Sequence, residues 1–191
     1  MKHVHRLTLE EKVGQLFVVG FQGYEPDIET QALLEAVRPG GFLLLQRNIE
    51  SFNQIYSLTC RLRDMLPIPA FLAIDHEGGR VDRLKQIFAP IPAMSELASA
   101  GIAPLRLGAR IIAAELEAPG FNVNFAPVLA LRLPGWIIAE RSLSSNPLEV
   151  SRLAAAFIDE LSARGIFACA KHFPGLGEAT ADPHFRLPRI D

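Results

Sequence analysis

Five short apolar runs alternate with helical stretches along this chain, and that alternation limits the fold more than any other feature. The runs are Gln15–Gly20 (QLFVVG), Gly41–Leu45 (GFLLL), Ala70–Ile74 (AFLAI), Val123–Leu129 (VNFAPVL) and Ile166–Ala170 (IFACA). They are nearly continuous in apolar residues, the pattern of strands covered on both faces. Between them lie Pro26–Val37, with an apolar stripe of Ile28, Leu33, Leu34 and Val37, and Ser51–Leu66, with Ile55, Leu58, Leu62 and Met65 on one face. A third helix is predicted from about Leu105 to Ala118, stopped by Pro119-Gly120. A fourth spans Pro147–Arg164, with Asn146 as cap and Pro147 at the first helical position. Strands separated by helices imply a parallel sheet with helices packed outside it. The 191 residues are read as one domain.

Polar residues follow the strands at once: Gln46-Arg47-Asn48, Asp75-His76-Glu77 and Lys171-His172. Polar groups at the C-terminal ends of parallel strands are the arrangement of a (β/α)8 barrel. A complete barrel takes eight strands and about 250 residues, so the expectation is an open segment of about five βα units. A doubly wound open sheet is the alternative. Against it, no G-x-G-x-x-G turn follows the first strand.

With 49% hydrophobic and 21% charged residues, a net charge of −2 and a pI near 6.2, nothing points to nucleic acid or to an acidic membrane surface. No apolar run approaches the ~20 residues of a membrane span, and the first residues lack a secretory apolar region. The expected compartment is the cytoplasm. Cys60 and Cys169 are far apart in apolar surroundings and are expected to be buried thiols.

Two stretches carry chemistry. In Asp75-His76-Glu77-Gly78-Gly79-Arg80-Val81-Asp82-Arg83 the glycines allow a sharp turn and close approach of a ligand. Aspartate and arginine together match vicinal sugar hydroxyls, since one accepts and the other donates paired hydrogen bonds; a solvated loop with a surface ion pair is the plainer reading. The second stretch, Lys171-His172 through Asp182-Pro183-His184, places Asp182 two residues from His184. A carboxylate accepting from one imidazole nitrogen fixes the tautomer and makes the other an acid/base. The alternatives are a histidine with a structural hydrogen bond, or a metal bound by His172, Asp182 and His184. No H-x-H or H-E-x-x-H spacing accompanies that metal set.

In order along the chain, Leu7–Phe17 (LTLEEKVGQLF), Gln46–Glu50 (QRNIE), Ile74–Val81 (IDHEGGRV), Asn124–Val128 (NFAPV), Arg141-Ser142 and Lys171–Gly175 (KHFPG) resemble family 3 glycoside hydrolases. The nearest pattern is that of the bacterial β-N-acetylglucosaminidases of cell-wall recycling. The resemblance covers essentially the whole chain. It implies that residues 1–191 are the N-terminal part of a TIM-barrel catalytic domain, acting with retention on terminal N-acetylglucosamine and using no cofactor. By position, Asp75, Arg83, Arg141, Lys171 and His172 match the family's sugar-binding residues, His184 its acid/base and Asp182 the carboxylate paired with it. An imidazole acid departs from the usual pair of carboxyl groups.

The departures matter too. The family's nucleophile is an aspartate well downstream of this loop, and the sequence ends at Asp191 before it. Leu176 stands where a second histidine is usual, Ala130 where an aspartate is common, and Pro183 within the Asp-Ser-His triplet. The isolated chain is therefore expected to turn over little or no substrate. A non-catalytic sugar-binding or interaction module derived from the family is the alternative. The open barrel edge, with unpaired backbone and bare apolar surface, is expected to promote self-association.

Overall fold

The computed structural model describes residues 4–136, 138–173, 175 and 185–187. Five strands, β1 (Val18–Val19), β2 (Gly41–Leu44), β3 (Phe71–Ile74), β4 (Val123–Asn124) and β5 (Phe167–Ala168), form one sheet in the order β1-β2-β3-β4-β5, every neighbouring pair parallel. The strand order never reverses, whereas a doubly wound sheet requires a reversal. Crossovers between parallel strands are right-handed as a rule, and in this strand order that rule puts the connecting helices on one side. The doubly wound alternative is thereby set aside in favour of a barrel segment.

Among the described residues six α-helices accompany the sheet: α1 (Leu9–Gly14), α2 (Ile28–Val37), α3 (Phe52–Met65), α4 (Met94–Ala100), α5 (Ile102–Glu117) and α6 (Pro147–Ser162). Their starts follow local chemistry. Thr8 and Glu11 cap α1 reciprocally, Asp27 accepts from Thr30 N–H at α2, and Ser51 from Gln54 N–H at α3. Asn146 Oδ1 accepts from the N–H groups of Leu148 and Glu149 with Pro147 opening α6, as the sequence predicts. The α5 helix begins three residues earlier than expected. Pro104 lies in its first turn, where a missing N–H is tolerated. The short α4 was not foreseen.

Register defines two faces of the sheet. Val18, Gly41 and Phe71 are aligned, as are Leu43, Ala73, Val123 and Phe167, and these point away from the helices. Phe42, Leu44, Leu72 and Ile74 point the other way and are completely buried against Ile55, Leu58, Leu62, Leu105, Ile112 and Leu116. The predicted stripe of α3 is thus in the core, with Met65 partly buried. The stripe of α2 is not. Leu34 alone is buried there, while Ile28 is 85% exposed and Leu33 62%, because α2 lies beside β1 at the sheet edge with helices on one side only.

The inner face is incompletely covered. Phe71 and Phe167 meet edge to face, ring centres 5.8 Å apart, yet remain 49% and 64% exposed. Cys169 shares the parity of Phe167 and is exposed; Cys60 is half-buried. The expectation of buried thiols therefore fails for Cys169, since its face of β5 is the one the helices do not cover. No helix among the described residues is long and apolar enough to cross a membrane.

Candidate active site

The two-residue period that sorts the strands continues past β3. Asp75 and Glu77 turn to the inner side, and His76, between them, turns to the helices. A tight turn follows, with Gly78 at φ +87° and Gly79 at φ +57°. A side chain on Gly78 would meet Pro92 O at 2.5 Å, so the turn is packed directly against the segment at 91–93.

Lys171 reaches the same place from β5. Its N–H donates to Pro127 O at 3.0 Å and its carbonyl accepts from Leu129 N–H at 2.7 Å, which extends the β4–β5 pairing. With both backbone groups fixed, Nζ lies 2.7 Å from Asp75 Oδ1 and 2.6 Å from Glu77 Oε1. Arg141, at the end of a 3-10 turn (Ala139–Arg141), donates to Glu77 through Nε at 2.7 Å and Nη2 at 2.8 Å. Glu77, 1% exposed, thus joins both cations.

This geometry sets the charge states. Burial is the largest single influence on the Glu77 carboxyl and pushes it up. The Arg141 hydrogen bond and the Lys171 and Arg141 charges together outweigh it, so the group lies below its ordinary value of 4.5. For His172, burial and then the charges of Lys171 and Arg141 push the imidazole below its ordinary 6.5, against partial opposition from Glu77 and Asp75. His172 is held neutral beside two cations, with a buried Nδ1 that has no hydrogen-bond partner among the described residues.

Four of the sequence-predicted residues, Asp75, Arg141, Lys171 and His172, therefore meet at the C-terminal end of the sheet. Arg83 follows the buried Asp82, and its Nε is buried without a hydrogen-bond partner among the described residues. Asp182 and His184, predicted as the acid/base pair, lie outside the described residues. Glu77, which ties the cluster together, was not singled out from the sequence. Its place two residues from Asp75, on the same side of an extended segment, was the available signal. Among the polar residues after β2, Asn48 proves structural: its amide donates to Phe21 O at 3.1 Å and Gly23 O at 2.7 Å while accepting from Leu45 N–H.

A parallel sheet in consecutive order with ionised groups at its C-terminal end defines a (β/α)-barrel enzyme architecture. Comparison with known proteins makes this specific. Residues 8–191 match the family model described as the glycosyl hydrolase family 3 N terminal domain, and the chain belongs to that family. It is 40% identical over 171 residues to a β-hexosaminidase of Tolumonas auensis, covering 88% of this chain and 51% of that protein. It is 35% identical over 179 residues to a β-hexosaminidase of Idiomarina loihiensis, covering 91% and 54%. A family 3 β-N-acetylglucosaminidase from Paenibacillus sp. superposes with a TM-score of 0.90 at 34% identity, over 96% of this chain and 36% of that one. Native NagZ from Neisseria gonorrhoeae gives 0.82 at 34% identity, over 90% and 52%. The chain thus spans about half the length of the curated relatives it matches.

Proposed function

We propose that this chain carries the sugar-binding half of a retaining β-N-acetylglucosaminidase site acting on terminal N-acetylglucosamine. The observation that carries the reading is the Asp75–Lys171–Glu77–Arg141 network at the strand ends, in a family whose relatives bear the name β-hexosaminidase. NagZ of N. gonorrhoeae, one of the structural relatives, has been crystallised with N-trifluoroacetyl-D-glucosamine.

The chemistry of the network suits a sugar. Asp75 accepts and Lys171 donates at adjacent points, which matches neighbouring hydroxyls that each do both. Glu77 makes no demand on the ligand; it holds Lys171 and Arg141 in place, so little ordering remains to be done on binding. Neutral His172 offers one ring nitrogen as donor and the other as acceptor. Arg83 brings a further set of donors close by in sequence. In this reading His184, oriented by Asp182, protonates the departing glycosidic oxygen and later takes a proton from the attacking water. The aspartate nucleophile of the resemblance has no counterpart assigned within residues 1–191. Cell-wall recycling in the cytoplasm follows from the resemblance alone.

A second reading, sugar binding without hydrolysis, is favoured by one observation: Asp75, Glu77, Arg141, Lys171 and His172 meet at the strand ends without any contribution from Asp182 or His184 to the contacts among them. Two measurements separate the readings. N-acetylglucosamine is titrated against the chain and its Asp75→Ala variant, and release of p-nitrophenol from the β-N-acetylglucosaminide is compared with that of His184→Ala. Turnover that falls ~10²–10⁴-fold on losing the imidazole supports the glycosidase. Binding without turnover supports the module, and turnover indifferent to His184 overturns the acid/base assignment.

A further inference from the structure

His76 is completely buried and points to the helix side of the sheet, away from Asp75 and Glu77. Its Nε2 lies 3.1 Å from Glu115 Oε2 on α5. Its Nδ1 lies 3.5 Å from Asp82 Oδ1, within ion-pair range but making no hydrogen bond. The backbone is held as firmly: His76 N–H donates to Asn124 Oδ1 at 3.1 Å, and His76 O accepts from Asn124 Nδ2 at 2.8 Å. Asp82 in turn accepts from the N–H groups of Leu84 and Ile91 at 3.2 and 3.1 Å. A polar side chain thus lies where residues 72 and 74 of the same strand place Leu and Ile.

We propose that His76 is a positioning residue: through its hydrogen bond to Glu115 it ties the end of β3 to α5, and so fixes where the carboxylates of Asp75 and Glu77 stand relative to Lys171 and Arg141. Adjacent residues of an extended segment point in opposite directions. Rotating Asp75 and Glu77 out of the cation cluster therefore requires His76 to rotate away from Glu115. An apolar residue at 76 would fill the space but would not fix the direction, because apolar packing is not directional. A hydrogen bond between a buried ring and a helix carboxylate is directional. The importance of this tie for function rests on reading Asp75 and Glu77 as part of the sugar site; its test needs no sugar.

The test follows the Glu77 side-chain carboxyl by carbon NMR through an acid titration of the 191-residue chain and its variants. Glu115→Ala removes the acceptor for His76 Nε2. The direct electrical effect of losing a carboxylate is to lower the Glu77 midpoint, since like charges raise one another. Loosening of the Arg141 and Lys171 contacts raises it. The expected result is a rise of about half a pH unit or more in Glu115→Ala, toward the ordinary carboxylate value. Glu115→Gln, which loses the charge but keeps a carbonyl acceptor, is expected to show no rise. An unchanged or lowered Glu77 midpoint in folded Glu115→Ala, or an equal rise in Glu115→Gln, overturns the proposal. Should Glu115→Ala fail to fold, Glu115→Leu refills the space and carries the same readout.

Discussion

Glu77 and Arg141 are 64 residues apart in sequence and meet edge to edge, both carboxylate oxygens of one taking the two parallel N–H groups of the other at 2.7 and 2.8 Å. Lys171 completes the arrangement from β5, so one carboxylate fixes cations delivered by two separate segments. Breaking a buried pair by removing one member leaves an uncompensated charge. Glu77→Ala is accordingly expected to cost about 3 kcal/mol or more by denaturant unfolding. Arg141→Lys keeps the charge but loses the two-pronged geometry, and should cost less than Glu77→Ala but measurably more than nothing. Equal stability of all three proteins would show that the network contributes nothing to the fold.

Acid should weaken this protein in two stages. The folded-state pKa of His172 lies below the ordinary 6.5, so near and below that value the unfolded chain binds the extra proton more readily. Stability from a neutral His172 is therefore complete above pH 6.5 and declines as pH falls toward the lowered value. Glu77 follows: its pKa lies below 4.5, so its contribution is complete above that value and declines as pH drops through the folded-state pKa. Denaturation midpoints measured from about pH 8 down to about pH 2 should fall across both windows in the wild type. His172→Gln should flatten that first slope and leave the second. A slope unchanged by the substitution would assign the first stage to another group.

The parts of this architecture written in local sequence were legible, and the parts written in contacts between distant segments were not. Runs such as Gly41–Leu45 and caps such as Asn146-Pro147 announce a strand and a helix start by themselves, because covering on both faces and first-turn hydrogen bonding are properties of a few neighbouring residues. Asp75 and Lys171 stand out at strand ends in the sequence itself, Arg141 comes through the resemblance, and the structure brings the three together. Glu77 was passed over because its importance lies in partners 64 and 94 positions away. His76 was read as one more polar residue of a loop, since nothing local tells that Glu115 waits on α5. Burial of α2 was overestimated for a related reason: periodicity reveals an apolar stripe, but not whether a neighbour exists to cover it.

Asp75 offers its carboxylate at the rim of the network, with Lys171 already 2.7 Å away. Hydrogen bonds to a charged group contribute about 1.5–3 kcal/mol, or roughly 10- to 150-fold in affinity. Asp75→Ala is expected to weaken N-acetylglucosamine binding by at least about tenfold, as measured by ligand-observed NMR or calorimetry. Lys171→Met should do the same and also release Asp75 and Glu77 from their shared cation. Sugar affinity that survives both substitutions would move the binding site away from the ends of β3 and β5.

Phe71 and Phe167 form an exposed aromatic pair on the inner face of the sheet, and Phe71 is in register with Val18, which is also about half exposed. The edges at β1 and β5 have no further strand partner among the described residues. Apolar surface next to unpaired strand edges favours association with another chain. The 191-residue chain in solution is therefore expected to exceed monomer mass in light scattering, increasingly so with concentration. Phe167→Asp should shift the distribution toward monomer, because a carboxylate placed on a joined apolar face must be stripped of water for the contact to form. Phe71→Ser should act in the same direction with a smaller effect, since it removes apolar area without adding charge. A chain that is monomeric at all concentrations, or an assembly indifferent to both substitutions, would show that this face does not mediate association.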